Sequence, residues 1–148
     1  MKAKITICLM ISFITLSCGQ QKKSSIEGAW NLVYAQKVSA DTIEWEFPKD
    51  FPGGSELKIW SKGYVLYYGH WKMDSAVIDG GGGGPYKKLN GNIFEESIQY
   101  FSVPSVVGSH VRMLLEIKND TLVQIYPVDE NGQIDKSNYR EQKRVRLD

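Results

Sequence analysis

From Ile26 onward, apolar and polar residues take turns, and the spacing of three and four that marks a helix is missing. A period of two belongs to a strand with one buried face, so it restricts the chain to sheet architectures. "IEGAWNLVYAQ" sets Trp30, Leu32 and Tyr34 against Asn31, Val33 and Ala35. "YVLYYGHW" sets Tyr64, Leu66 and Tyr68 against Val65 and Tyr67. "NIFEESIQYF" sets Phe94, Glu96, Ile98 and Tyr100 against Ile93, Glu95, Ser97 and Gln99. "HVRMLLEIK" sets Val111, Met113, Leu115 and Ile117 against Arg112, Leu114 and Glu116, and "TLVQIYP" and "YREQKRVRL" close the chain. Aromatic and β-branched residues dominate these runs. The punctuation is that of hairpins: "LNGN" at 89–92, "KNDT" at 118–121 and "DENGQ" at 129–133. Strands joined by such turns pair with their sequence neighbours. The expectation is an all-β, antiparallel up-and-down β-barrel of about eight to ten short strands, which closes its own edges; a sandwich is the other form open to it. The stretch 39–55 holds Pro48, Pro52, Gly53 and Gly54 and reads as a long loop.

Five glycines, Gly80 to Gly84, interrupt this pattern, followed by Pro85, Tyr86, Lys87 and Lys88. A phosphate loop needs Lys-Ser or Lys-Thr opening a helix, and here no hydroxyl residue follows the lysines and strands flank both sides. A disordered linker fits poorly, because alternation resumes at once. Glycine in a β context marks a bulge, a bend or a close backbone approach, as a small closed barrel requires. The run is therefore expected to be a strand turning a barrel corner. In a functional version, the missing side chains would leave a gap at the barrel mouth.

The first residues give an address. Lys2 and Lys4 precede an apolar run, Ile5 to Leu16, too short for the roughly 20 residues that a membrane-spanning helix needs. A signal peptide over 1–17 is expected. Leu16, Ser17 and Cys18 resemble a bacterial lipobox, in the short "L-S-C" form familiar from lipoproteins of the Bacteroidetes, with Thr15 at the position usually held by Leu. That resemblance implies an acylated Cys18 as the mature N-terminus. The only other cysteine, Cys8, would leave with the signal, so Cys18 would have no disulfide partner. Residues 18–25 then read as a lipidated cysteine and flexible tether, and 26–148 as the domain. Loss of Lys2 and Lys4 takes the formal charge from +1 to −1, which gives no general attraction to nucleic acid. The tether has no acidic run, so an outer-membrane, periplasm-facing site is expected.

"IEGAWNLV" is similar to the Gly-X-Trp opening of lipocalin-like barrels, and the middle of the chain resembles the lipocalin-like lipoprotein domains of Bacteroidetes. The matching positions are Lys58, Ile59, Trp60, Tyr64, Gly80 to Gly84, Tyr86, Gly91, Phe94 and Glu96, with "EQKRVR" at the close. Within the glycine cluster's usual Gly-X-Tyr this chain has proline, and residues 39–55 match no part of the pattern. The resemblance implies a small up-and-down barrel over roughly 26–146, an apolar cavity and no catalysis. It also implies that Trp30 packs across the closed end with Arg144 of the last strand stacked on it, a structural pair.

The candidate ligand residues are Trp60, Tyr64, Tyr68, Tyr86, Phe94, Glu96, Ile98 and Tyr100. They would line a cavity if the interior is open; a filled core is the equal alternative. Glu96 shares a face with Phe94, Ile98 and Tyr100. Buried there, it would either anchor a ligand or pair with an inward arginine: Arg112, Arg140 or Arg144. His70 and His110 lie far apart with no zinc spacing, and Ser109 beside His110 sits in no nucleophile elbow. No metal, cofactor or catalytic residue is expected. Two functions follow: a lipid-anchored, non-catalytic carrier of a small hydrophobic or amphipathic molecule, or a solid barrel serving as an interaction module of the cell envelope. The second would show a filled interior and an exposed apolar patch.

Overall fold

The computed structural model describes residues 25–40, 42–47, 56–73 and 76–147. The expected leader, Cys18, most of the tether and residues 41 and 48–55 of the expected loop lie outside the described residues; the part of that loop at 42–47 is strand instead, because it pairs along the end of the first strand. The described residues form ten strands: β1 Gly28–Ser39, β2 Thr42–Phe47, β3 Glu56–Ser61, β4 Tyr64–Met73, β5 Ala76–Asn90, β6 Ile93–Ser97, β7 Tyr100–Phe101, β8 His110–Lys118, β9 Thr121–Tyr126 and β10 Asn138–Arg146. Among the described residues the only helical turn is a 3-10 turn at Pro104–Val106.

Eight strands close into an antiparallel barrel in the order β1-β3-β4-β5-β6-β8-β9-β10, with β10 returning to β1 over Trp30↔Arg146 to Ser39↔Asn138. β2 adds to β1, and β7 adds to β5. The expected all-β barrel is what forms, and closure through β1 and β10 decides against a sandwich. The hairpin signals act where the sequence places them. Asn119 adopts φ 57° between β8 and β9, a left-handed position that asparagine tolerates. Asp129 Oδ1 accepts from the Asn131 and Gln133 amides and holds the turn there.

The glycine run lies within a single unbroken strand, β5. Its partner on one side is β4 throughout, Tyr64↔Pro85 to Met73↔Ala76. On the other side the partner changes, from β7 at Gly82 and Gly83 to β6 from Tyr86 onward. A Cβ at Gly83 would stand 2.2 Å from the Val65 carbonyl oxygen, and one at Gly84 would stand 2.0 Å from that of Ser97. At Gly83 and Gly84 the neighbouring backbones approach so closely that no side chain fits.

The core packs Trp30, Trp60, Val65, Phe94, Met113, Leu115 and Leu122 together. Trp30 is fully buried, and its Nε1 donates to the Ile26 carbonyl at 2.8 Å. The cation stacked on it is Arg146, 4.1 Å from the ring centroid, and not the expected Arg144. Register explains the correction. Trp30 pairs directly with Arg146, whereas Arg144 sits opposite Leu32, one inward position further along the barrel. Arg146 also donates to the carbonyls of Glu27 and Ser25, tying the chain entry to the last strand.

Candidate functional site

Strand β3 positions both candidate regions, because its two faces are inverted. "ELKIWS" buries Glu56, Lys58 and Trp60 and turns Leu57, Ile59 and Ser61 outward. Trp60 drives this choice: it is 1 % exposed, and a period of two then takes the two charged residues inward with it.

Inside, those charges are compensated. Lys58 Nζ lies 2.8 Å from Glu96 Oε1, and Trp60 Nε1 donates to the same carboxylate at 3.1 Å. The ammonium also sits over the Trp60 ring, 4.6 Å from its centroid. Burial pushes the Lys58 ammonium down from its ordinary value, against Glu96, which pulls it up. Arg144 is fully buried and forms a second ion pair with Glu56, and its Nη2 also donates to Gln142 Oε1 at 2.8 Å. Arg144 Nε and Nη1 and Gln124 Oε1 have no hydrogen-bond partner among the described residues. Tyr67 points into the same region, and its hydroxyl is pushed well up, first by burial and then by the Glu96 and Glu56 carboxylates. Glu96 is thus paired, as one sequence reading required, but by Lys58; of the arginines considered, Arg112 binds Glu95 and Arg144 binds Glu56.

The eight expected ligand residues do not meet at one place. Trp60, Phe94 and Glu96 face the interior, and Tyr86 packs half-buried against them, its ring centroid 6.5 Å from that of Phe94. Ile98 is buried where the chain leaves β6. Tyr64, Tyr68 and Tyr100 lie outside, 57 %, 61 % and 67 % exposed. In β4 the inward residues are Val65, Tyr67 and Gly69. "YVLYY" is apolar in both phases, so alternation alone cannot choose between them. For Tyr100, the irregular turn at Ile98 and Gln99 resets the parity that ties it to Glu96 in the sequence.

A groove of about 360 Å³ lies on the outside, lined by Leu57, Ile59, Leu66, Tyr68 and Tyr100 together with Gly81, Gly82 and the inward-facing Tyr67. Cross-strand register makes its rows: Leu57, Tyr68 and Gly81 stand side by side, then Ile59, Leu66, Gly83 and Tyr100. The glycines leave bare backbone as the floor, and Tyr68 and Tyr100 rise beside it. Sequence reasoning missed Leu57 and Ile59 as groove residues, and Lys58 and Glu56 as interior charges. The available signal was Trp60, whose burial fixes the phase of β3.

Elsewhere, two histidines have close partners. His70 Nδ1 pairs with Asp79 across β4 and β5, and His110 Nδ1 lies 2.9 Å from Ser97 Oγ across β6 and β8. Both pairs are exposed, and both follow from register. Among the described residues no three His, Cys, Asp or Glu side chains are grouped to hold a metal ion. No protein-family model matches the chain, and a search of curated proteins finds no significant match. A closed β-barrel is compatible with ligand binding, and that is as far as the fold alone reaches.

Proposed function

We propose that this chain is a non-catalytic binding protein of the bacterial cell envelope, lipid-anchored through Cys18 and facing the periplasm from the outer membrane. It takes a small hydrophobic or amphipathic molecule and needs no cofactor. The observation that carries this reading is the lateral groove. Its volume falls in the usual range of small-molecule sites, and its walls are aliphatic and tyrosine side chains over a glycine floor. The site is therefore placed on the outside of the barrel, where Tyr68 and Tyr100 are, rather than in the centre. In the centre Trp30, Trp60, Met113 and Leu122 are buried beside two ion pairs. Tyrosine suits such a place, since it offers a flat apolar ring and a hydroxyl that stays hydrated.

The test is native mass spectrometry of the protein purified from the envelope of the cells that make it. A bound molecule of defined mass, retained by wild type and lost on Tyr68→Ala or Tyr100→Ala, is the expected result. A clean unliganded mass, persisting after exposure to fatty acids and other apolar compounds, would remove this reading. It would leave the solid-barrel interaction module.

A further inference from the structure

We propose that the outer wall formed by β3, β4 and the glycine stretch of β5 lies flat on a lipid bilayer. The wall is larger than the groove it contains. Its outward positions are Leu57, Ile59 and Ser61 on β3, then Tyr64, Leu66 and Tyr68 on β4. Gly81, Gly83 and Pro85 continue it across β5, and Tyr100 closes it. None of these ten residues is charged, and the exposed His70–Asp79 pair in the next outward row bounds the wall on that side. Leu66, Tyr64, Tyr68 and Tyr100 are each more than half exposed, so the patch stands open to whatever covers it.

Three observations select a lipid surface as the occupant. First, the wall lacks the charged groups by which a protein partner would be steered and set in register. Its polar atoms are tyrosine hydroxyls, which suit the headgroup level of a bilayer. Second, the wall adjoins the place where the chain enters the barrel. Gly28 pairs with Trp60 of β3, and Glu27 accepts from the Lys62 amide in the β3–β4 turn. From Ser25 back to Cys18 is a seven-residue path, at most about 25 Å when fully extended. Given the acylation of Cys18 proposed above, on which this point rests, an anchor there would hold this end of the barrel at the membrane. Third, among the described residues six of the eleven exposed large apolar side chains lie on this wall, and Val33, Ile43, Leu89, Val107 and Leu147 lie elsewhere. The outer face of β6 and β8 carries Glu95, Arg112 and Glu116, and strands of five or six residues in β3, β6 and β9 fall short of the roughly 9–11 that a membrane-crossing strand needs. The barrel rests on the bilayer and does not cross it.

The orientation is readable in the intact, processed protein. Single cysteines, Ser61→Cys on the wall and Glu116→Cys on the opposite side, are spin-labelled, and the protein is placed on phosphatidylethanolamine–phosphatidylglycerol vesicles, with wild type as the labelling background. The label at position 61 should respond to a lipid-soluble relaxation agent and be shielded from a water-soluble one, with the reverse at position 116. Leu66→Glu should weaken the docking about tenfold and return the position-61 label to water. Equal water access at both positions overturns the proposal. So does a position-61 label shielded from both agents, because a second copy or another protein then covers the wall. The ligand mass measured on the same preparations keeps the two readings apart. Docking without a bound molecule upholds the wall and removes the small-molecule reading; a bound molecule with a water-bathed label at 61 does the opposite.

Discussion

The two sides of this barrel share strands, twist and closure, yet their outer surfaces follow opposite rules. On the β3–β4 side the outward residues are Leu57, Ile59, Tyr64, Leu66 and Tyr68, and the charges Glu56 and Lys58 are turned inward. On the β6–β8–β10 side the inward residues include Phe94, Met113 and Leu115, and the outside is laced with charge. There Glu95 bridges Lys87 and Arg112, Lys118 pairs with Glu116, and Lys143 pairs with Glu141 while sitting over the Tyr34 ring. The second side is built to stay hydrated and alone. The first has moved its charges to the interior, where compensation is strict, and left a surface that water does not favour. A barrel wall can therefore exchange its inner and outer chemistry as long as every inward charge finds a partner.

Breaking that compensation should have the largest effect. Lys58→Ala leaves the Glu96 carboxylate buried without its cation and should cost about 3–5 kcal/mol in urea denaturation. The double change Lys58→Met with Glu96→Leu should recover most of that loss. If Lys58→Ala proves neutral, the inverted wall is not held by its inner ion pair. A middle effect belongs to the glycine run of β5. Gly83→Ala drives a Cβ against the Val65 carbonyl and should cost about 1–3 kcal/mol, seen as a lowered thermal midpoint. The smallest effect sharpens the charged side. Lys87 and Arg112 hold the Glu95 carboxyl below its ordinary 4.5. A lowered carboxylate contributes its stability in full above the unfolded value and loses it as pH falls through the folded one. The stability gap between wild type and Glu95→Gln, followed by urea midpoints from pH 7 to pH 3, should therefore hold steady and then shrink below about 4.5. A gap independent of pH would show that the outer ladder adds nothing.

The fold was legible because alternation and turn residues are local signals. Asn119 and Asp129 mark their hairpins without reference to the rest of the chain, and the glycine run announces a close backbone approach by what it lacks. The site was less legible, for reasons of phase and closure. In β4, "YVLYY" is apolar on both faces, so Tyr64 and Tyr68 and their neighbours Val65 and Tyr67 compete equally for the interior until Trp60 of the adjoining strand settles the matter. Arg144 and Arg146 are two residues apart and face the same way, and only the β1–β10 register decides which one covers Trp30. The Lys58–Glu96 pair joins strands that are not neighbours, across the lumen of the closed barrel. No local pattern encodes a contact that exists only once the ring is shut.

The β1–β10 seam also governs how the chain reaches this state. Trp30 and Arg146 must meet across nearly the whole sequence, so the loop-closure entropy falls due before the last contacts repay it. Folding should be slow for a domain of this size and all-or-none in character, because an unshut ring keeps open edges at both β1 and β9. For as long as the ring is open, those edges and the uncharged wall are exposed together. The hours or seconds spent in that condition, more than the depth of the final energy well, set how readily such a chain aggregates and how much it depends on a chaperone while it waits for its final strand.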